Sequence, residues 1–203
     1  MQLIGMLDSP FVRRVAISMR LMDIAFEHRP ISVFRHLDTF ASVNPVVKVP
    51  TLICDNGVVL MDSSLILDYL DTLTAGEHSL LPADLARRQH ALRVIGLALV
   101  AAEKAVQIVY ETKLRPLEKQ HEPWLERVRA QLASAWGLLE HELSTEPLTL
   151  APPDQAGVSC AVAWRFTQEM LPELACASSY PLLSQWSREA EQHPAFIATP
   201  FES

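Results

Sequence analysis

Two apolar runs joined by the tripeptide Asp55-Asn56-Gly57 constrain the fold of this chain more than any other feature. The first run covers residues 46–54 and the second covers residues 58–61. Asn-Gly supplies the backbone conformation that a tight hairpin turn requires, so the pattern predicts two consecutive antiparallel strands. Any fold for the first part of the chain must therefore contain a sheet with an antiparallel pair.

The segments on either side of this hairpin alternate between strand and helix patterns. Residues 3–7 form a short apolar run that ends at Asp8-Ser9-Pro10, which is typical of a buried strand followed by a turn. Residues 25–33 are rich in extended formers and make a second strand candidate. After the hairpin, Asp62-Ser63-Ser64 opens a helix. The order βαβ followed by ββα predicts an α/β unit with a mixed sheet over residues 1–75.

The segment after the first turn has the pattern of an amphipathic helix. Pro10 suits a first helical position, and apolar residues recur at helical spacing from Phe11 onwards. Arg13, Arg14 and Arg20 fall mostly between those apolar residues. Such an alternation is typical of an amphipathic helix.

The remainder of the chain has no strand pattern. Residues 71–82 carry polar residues, Gly and Pro and are typical of a linker. Beyond them, apolar residues recur at three- and four-residue steps, which predicts an all-helical domain over residues 83–203. The predicted helices cover residues 83–114, residues 123–143, a segment capped by Asp154, and residues 180–192.

Composition and charge exclude several classes of protein. Hydrophobic residues make up 49% of the 203 residues, which is enough for a core, and the net charge of -7 argues against a nucleic-acid binder. The N-terminus has neither the basic region nor the apolar stretch of a secretory signal. The longest apolar stretch, residues 94–102, is too short to span a bilayer. We expect a cytoplasmic protein that binds neither nucleic acid nor membrane.

The three cysteines do not form a recognisable framework. Cys54, Cys160 and Cys176 are far apart and odd in number, and no Cys-x-x-Cys pair is present. The pattern predicts no metal site, and we expect each cysteine to be a buried small apolar residue.

Three short motifs of the first part occur together and in a fixed order. Ser9-Pro10-Phe11-Val12-Arg13 lies at the first strand-to-helix turn, residues 44–52 read Asn-Pro-Val-Val-Lys-Val-Pro-Thr-Leu, and Leu60-Met61-Asp62-Ser63-Ser64 precedes the third helix. Together they resemble the glutathione transferase superfamily, and the resemblance covers essentially the whole chain. The resemblance is closest to the serine-type members of the superfamily, which are theta-like and zeta-like, and to bacterial proteins of that kind. It implies a thioredoxin-like N-terminal domain (residues 1–75) and an all-α helical bundle (residues 83–203).

The resemblance places the catalytic group of the family at Ser9. An unperturbed cysteine thiol has a pKa of about 8.5, so the thiol of glutathione is mostly un-ionised at neutral pH, although the thiolate is the nucleophile. A serine hydroxyl that donates a hydrogen bond to the thiolate, at the positive end of a helix, would favour the ionised form. The alternative is that Ser9 only caps the helix. Position 9 also aligns with the cysteine of the omega type.

The resemblance also implies how the rest of glutathione is held. A cis bond before Pro50 would leave the backbone of Val49 free to pair with the extended tripeptide, whereas a trans proline would merely begin an edge strand. Asp62 would hold the γ-glutamyl ammonium and Ser63 its carboxylate, although both residues are also typical helix caps. The predicted glutathione-binding residues are Phe11, His36, Lys48, Val49, Pro50, Asp62 and Ser63, with His36 and Lys48 facing the glycyl carboxylate.

The second substrate is less well defined by the sequence. In the family, a small hydrophobic electrophile binds between the halves, and the candidate residues here are Leu7, Phe11, Gln107, Tyr110 and Trp164. The expected activity is conjugation of glutathione to that electrophile by a homodimer. The alternatives are a thiol-disulfide or dehalogenase-type activity that uses glutathione, and a non-catalytic interaction module.

One position departs from the family pattern. The helix capped by Asp154 has Gly157 where the family's capping box has an acidic residue. The return hydrogen bond of the box is lost and glycine costs about 1 kcal/mol in a helix, so we expect this helix to be locally weak.

Overall fold

The computed structural model describes residues 1–74, 76, 78–151 and 153–202. They form two compact units. The first comprises Met1–Leu80 together with the C-terminal segment that begins at His193, and the second comprises Leu81–Gln192. The sequence pattern assigns the whole of residues 83–203 to the helical domain, so the structure differs from it at the C-terminal segment.

A four-stranded mixed sheet lies in the first unit. Its strands are β1 (Gln2–Ile4), β2 (Glu27–Arg29), β3 (Thr51–Ile53) and β4 (Val59–Met61), in the order β2-β1-β3-β4. β1 pairs with β2 in parallel and with β3 in antiparallel, and β3 pairs with β4 in antiparallel. The predicted fold class is confirmed, with each strand shorter than its apolar run.

The hairpin between β3 and β4 has the predicted turn. The N–H of Cys54 donates to the carbonyl of Val58 at 2.9 Å, which closes the loop. Gly57 has a φ of 85°, a left-handed value that favours glycine.

Among the described residues, four helices accompany the sheet in the first unit, and the second unit is built from helices. Those of the first unit are α1 (Pro10–Leu21), α2 (Leu37–Val43), α3 (Ser63–Leu73) and α8 (Pro194–Ile197). Those of the second unit are α4 (Leu85–Val109), α5 (Glu122–Thr145), α6 (Gln155–Met170) and α7 (Pro181–Ala190). The sequence pattern predicts a loop in place of α2, because this short helix buries only Phe40 and so has no apolar period.

Two of the three arginines of α1 are buried, although they fall between the apolar residues of the amphipathic pattern. Arg13 and Arg14 are 1% and 3% exposed, and only Arg20 lies at the surface. Arg13 donates from Nε to the carbonyl of Thr199 at 2.8 Å, and its guanidinium lies 5.8 Å from the ring centroid of Phe196. These contacts hold the C-terminal segment in the first unit, and they could not be foreseen because the partners are 186 positions apart.

The second unit is a helical bundle with an aromatic core. α4 packs against α5 and α6. The ring of Trp164 lies edge-on between those of Trp136 and Tyr180, with centroid distances of 5.0 and 5.7 Å. No helix that the described residues form is both long and apolar enough to cross a membrane.

Carboxylates tie the helices of this bundle to one another. Glu142 on α5 accepts hydrogen bonds from Arg93 Nε at 2.7 Å and pairs with His90 Nε2 at 3.1 Å, both on α4. The bond from Arg93 is the largest cause of the lowered pKa of Glu142. Glu140 on α5 accepts from the N–H groups of Leu182 and Leu183, which caps the start of α7.

Gly157 departs from the capping box for a packing reason. Asp154 caps α6 as predicted, accepting from the N–H of Gly157 at 2.8 Å. A Cβ at position 157 would lie 2.6 Å from the Trp186 ring, and the Trp186 indole N–H donates to the Gly157 carbonyl at 3.0 Å. The glycine therefore admits the indole against the backbone of α6, and this contact offsets the propensity cost.

We expect Gly157→Ala to destabilise the protein by about 1–2 kcal/mol, because overpacking against Trp186 exceeds the gain in helix propensity of about 1 kcal/mol. The matched control is Gly137→Ala on α5, where nothing lies within 4 Å of the added methyl group. This control should raise the free energy of unfolding by about 0.5–1 kcal/mol. Urea unfolding followed by circular dichroism measures both changes, and equal stabilisation by the two substitutions would contradict the packing explanation.

Candidate functional site

The three motifs singled out in the sequence come together at one region of the first unit. Arg14 of α1 donates from its guanidinium to Ser63 Oγ at 3.1 Å, which joins α1 to the start of α3. A Cβ built on Gly5 would lie 2.6 Å from a Val12 methyl group and 3.1 Å from a Val49 methyl group. The start of α1 is therefore a neighbour of both the loop before β3 and the start of α3.

Ser9 caps α1 and still has a hydroxyl proton to donate. Its Oγ accepts from the N–H of Val12 at the long distance of 3.4 Å, and Pro10 occupies the first helical position. Neither the Ser9 hydroxyl proton nor the N–H of Phe11 has a hydrogen-bond partner within the described chain. The capping and catalytic interpretations are thus compatible, because the cap uses the oxygen and leaves the proton.

Asp8 is an electrostatic neighbour of Ser9 that the sequence interpretation passed over. Burial raises the pKa of Asp8, and the charge of Glu202 acts in the same direction. A backbone hydrogen bond from Ser9 and the charge of Arg35 act in the opposite direction. A negative charge at Asp8 would oppose ionisation of any thiol bound at Ser9, and donors at the start of α1 would have to outweigh it.

The loop before β3 presents an unpaired backbone at Val49. The peptide bond between Val49 and Pro50 is cis, as the family resemblance implies. Within the described residues, neither the N–H nor the C=O of Val49 has a hydrogen-bond partner. The buried Asn44 fixes this loop, since its amide donates to Thr51 Oγ1 at 2.9 Å, and Thr51 Oγ1 donates to the carbonyl of Lys48.

The start of α3 also keeps donors unused. Asp62 caps the helix by accepting from the N–H groups of Ser64 and Leu65 at 2.8 and 3.3 Å. The N–H and the hydroxyl proton of Ser63 have no acceptor among the residues that the structure describes. Asp62 has a φ of 73°, which costs about 1–3 kcal/mol in a residue with a side chain and is typical of functional sites.

Arg14 is the second residue that the sequence interpretation missed. Its guanidinium is buried and donates to both Ser63 Oγ and Ser64 Oγ at 3.1 Å. Burial lowers the pKa of Arg14 to about 10 while the charge of Asp62 acts against this change, so the group stays protonated at neutral pH. In the sequence, Arg14 precedes Ser18 by four residues, so the two share one helix face. The structure shows that this face is buried.

The two residues predicted to face a glycyl carboxylate are both at least partly exposed. Lys48 lies in the loop before β3, and His36 immediately precedes α2. His36 Nδ1 accepts from the N–H of Ser32 at 3.3 Å, so the proton of a neutral ring is on Nε2 and can be donated.

The predicted electrophile residues lie in different surroundings. Leu7 is a core residue of the first unit, and Phe11 is half-buried. In the helical unit, Trp164 is fully buried, Tyr110 is exposed at the end of α4, and Gln107 bonds to Glu103 on the same helix. The two buried side chains are used for packing within their own units.

The cysteines divide into two kinds. Cys54 and Cys160 are buried as expected, whereas the expectation is wrong for Cys176, which is exposed. Hydrogen bonds from Ser178 and Ser179 lower the pKa of Cys176 to about 7. Among the described residues, no group of three His, Cys, Asp or Glu side chains is arranged to hold a metal ion.

Comparison with known proteins gives the family. Residues 3–78 match the family of the glutathione S-transferase N-terminal domain. The chain is also 32% identical to a glutathione transferase family member from Pseudomonas fluorescens Pf-5 whose structure has bound S-(propanoic acid)-glutathione, with a TM-score of 0.81 and 100% of both chains covered. The chain belongs to the glutathione transferase superfamily. A second structure of a Pf-5 family member, 30% identical, has bound glutathione.

Other relatives bear on the subtype within the superfamily. The chain is 26% identical to the probable maleylacetoacetate isomerase 2 of Drosophila melanogaster, covering 91% of this chain and 81% of the relative. It is 27% identical to the GST-like protein YibF of Escherichia coli, covering 85% of each. The superfamily assignment from the three motifs is confirmed, and the theta- or zeta-like subtype stays a prediction.

Proposed function

We propose that this protein binds glutathione along the first unit and transfers its thiolate to a small apolar electrophile. One observation carries the proposal. Three neighbouring segments each have unused hydrogen-bonding groups: the Ser9 hydroxyl and Phe11 N–H, the Val49 backbone, and the Ser63 N–H and hydroxyl. In that order they match the cysteinyl thiolate, the cysteinyl backbone and the γ-glutamyl carboxylate of glutathione.

The reactive sulfur would lie at the start of α1. The Ser9 hydroxyl and the Phe11 N–H donate to the thiolate, and the positive end of the helix dipole adds to their effect. Lowering the thiol pKa by about two units requires roughly 2.7 kcal/mol, which such donors can supply in a partly buried place. The hydroxyl is not a base in this mechanism, since the thiol proton leaves to solvent and Ser9 stabilises the anion that remains.

The tripeptide itself would be held by the other two segments. The cysteinyl backbone pairs with the N–H and C=O of Val49, in the manner of an added strand. The γ-glutamyl carboxylate accepts from Ser63 at the start of α3, and the remaining oxygen of Asp62 takes the ammonium. Lys48 and the Nε2 proton of His36 face the glycyl carboxylate.

The second substrate would be chosen by the side chains around the thiolate. Phe11, next to Ser9 in the chain, is the candidate of the first unit that remains accessible. Gln107 and Tyr110 stay candidates on the family resemblance alone. The resemblance to a probable maleylacetoacetate isomerase adds a second candidate reaction, the isomerisation of such an unsaturated acid. An assay panel should therefore contain aryl halides, alkyl halides, enones and a cis-alkene diacid.

The other activities fit the site less well. Thiol-disulfide exchange needs a sulfur at the reacting position, and position 9 is a serine. A non-catalytic module would have no need of an unused hydroxyl proton beside the thiol. Because Cys176 is exposed and can exchange with glutathione, assays should be made with the Cys176→Ser variant.

We expect Ser9→Ala to raise the pKa of the bound glutathione thiol by about one to two units while changing glutathione affinity little. Removal of a donor to the thiolate destabilises only the ionised form. kcat/KM near neutral pH should fall by about tenfold to a hundredfold, and the loss should shrink at higher pH, where the thiol ionises unaided. Thiolate ultraviolet absorbance of the complex against pH measures the shift.

The control for this experiment is Ser9→Thr, which keeps both the hydroxyl and the cap and should remain close to wild type. Superimposable absorbance curves for Ser9→Ala and wild type would show that Ser9 is only a helix cap. The enzyme proposal would then need another hydroxyl, with Tyr110 the first to test.

We also propose that the protein is a homodimer, with α4 in the interface. Leu85, Leu92 and Val100 are exposed at helical spacing on one face of α4, together with Gly96. An open groove of about 570 Å³ runs along this face. Exposed apolar residues gathered on one side of a helix are typical of a contact surface, and twofold pairs are the commonest assemblies.

Leu92→Glu should dissociate this dimer, because two charged carboxylates would meet at a twofold contact. Sedimentation velocity at micromolar concentration should give twice 22.7 kDa for wild type and a single-chain mass for the variant. Leu117→Glu is the control, since Leu117 is 81% exposed and lies outside α4. A wild-type mass of 22.7 kDa would contradict the dimer, and a dimeric Leu92→Glu would contradict this interface.

A further inference from the structure

Arg14 carries its charge in a buried position, where an uncompensated charge is costly. The residue is 3% exposed, and its guanidinium reaches from α1 to the first turn of α3. There it donates to the hydroxyl oxygens of two consecutive residues, Ser63 and Ser64, at 3.1 Å each. A buried charge is costly unless its partners are well placed, so this one is held by a specific arrangement.

These bonds determine how Ser63 can interact with anything else. Because the Ser63 oxygen accepts from Arg14, its own proton must point away from the guanidinium. That proton and the Ser63 N–H have no acceptor within the described chain, although Ser63 is only 3% exposed. Buried donors normally have partners. Two adjacent buried donors without one point to a position that binds a group with two acceptor oxygens.

The guanidinium also sets the sign of the local potential. The charge of Arg14 adds to the positive end of the α3 dipole beneath Ser63, whereas Asp62 places a negative charge at the neighbouring surface position. A carboxylate is thus favoured over Ser63 and an ammonium beside Asp62. The two charges of an α-amino acid group match this pair.

We propose that Arg14 is a positioning residue for the α-carboxylate of the γ-glutamyl group, acting through the Ser63 hydroxyl and through its own buried charge. The inference rests on the proposed function, since it concerns the same glutathione site. It adds a specificity determinant: Arg14 makes the start of α3 select a ligand with a free carboxylate. Arg14 itself does not touch the ligand.

The test compares glutathione with two analogues that each lack one charge. In the first, a 4-aminobutyryl group replaces γ-glutamyl and removes only the α-carboxylate. In the second, a glutaryl group removes only the ammonium. Calorimetry gives three dissociation constants for each protein, and their ratios report the preference for each charge independently of overall stability or affinity.

Arg14→Met keeps an unbranched side chain of about the length of the aliphatic part of arginine but removes the charge and the donors. Its preference for glutathione over the 4-aminobutyryl analogue should fall by about fivefold to tenfold. Its preference for glutathione over the glutaryl analogue should be unchanged or should rise, because Asp62 is then less compensated. A merely structural role for Arg14 would weaken all three ligands alike and leave both ratios unchanged, which would overturn the inference.

Three further variants complete the test. Arg14→Lys retains the charge without the two-donor geometry and should give an intermediate ratio, so it replaces Arg14→Met if that variant does not fold. Arg14→Met combined with Ser63→Ala should lose little more carboxylate preference than Ser63→Ala alone, because both act on one interaction. Strict additivity of the two losses would contradict action through Ser63.

The experiment separates the two proposals. If wild type binds none of the three ligands at millimolar concentration, the glutathione site itself is refuted. If wild type prefers glutathione and Arg14→Met and Arg14→Lys keep that preference, only the role of Arg14 is refuted.

Discussion

The hydrogen bonds between a buried guanidinium and the first turn of a second helix hold the candidate site together. Arg14 extends from α1 and donates to Ser63 and Ser64 of α3, so the starts of the two helices are fixed to each other. One helix start presents Ser9 and the other presents Ser63. The loop that carries Val49 lies against Gly5 and Val12, beside the same end of α1.

This arrangement explains how an acidic chain can hold an anionic ligand. The net charge is -7, yet two helix starts and one buried arginine direct positive potential to a small region. Asp8 and Asp62 place negative charges at its borders. In the proposed site, Asp62 would pair with the ammonium of glutathione, and the donors at the start of α1 would have to outweigh the charge of Asp8 for a thiolate to form. Local donors rather than net charge thus decide what the first unit binds.

The sequence predicts the features that depend on local pattern. The Asp55-Asn56-Gly57 turn indicates a hairpin, and the spacing of the Ser9, Asn44 and Asp62 motifs indicates the family.

The sequence does not predict features that depend on residues far apart in the chain. Arg13 is buried against Thr199 and Phe196, and Arg14 against the start of α3. The glycine at position 157 predicts a locally weak helix, because the sequence does not show that Trp186, on another helix, packs against it. Periodicity shows which residues can be buried, but not which charges a fold encloses.

The central claim is that glutathione lies along the first unit, against Val49 and the starts of α1 and α3. Its most direct test is a ¹H–¹⁵N NMR titration of the Cys176→Ser protein with glutathione, following the amides of Phe11, Val49 and Ser63. We expect saturable shifts at all three, with slower hydrogen exchange at Val49 and Ser63, and no change at amides within α5. Amides that stay unshifted at millimolar glutathione, or shifts confined to the helical unit, would contradict the claim.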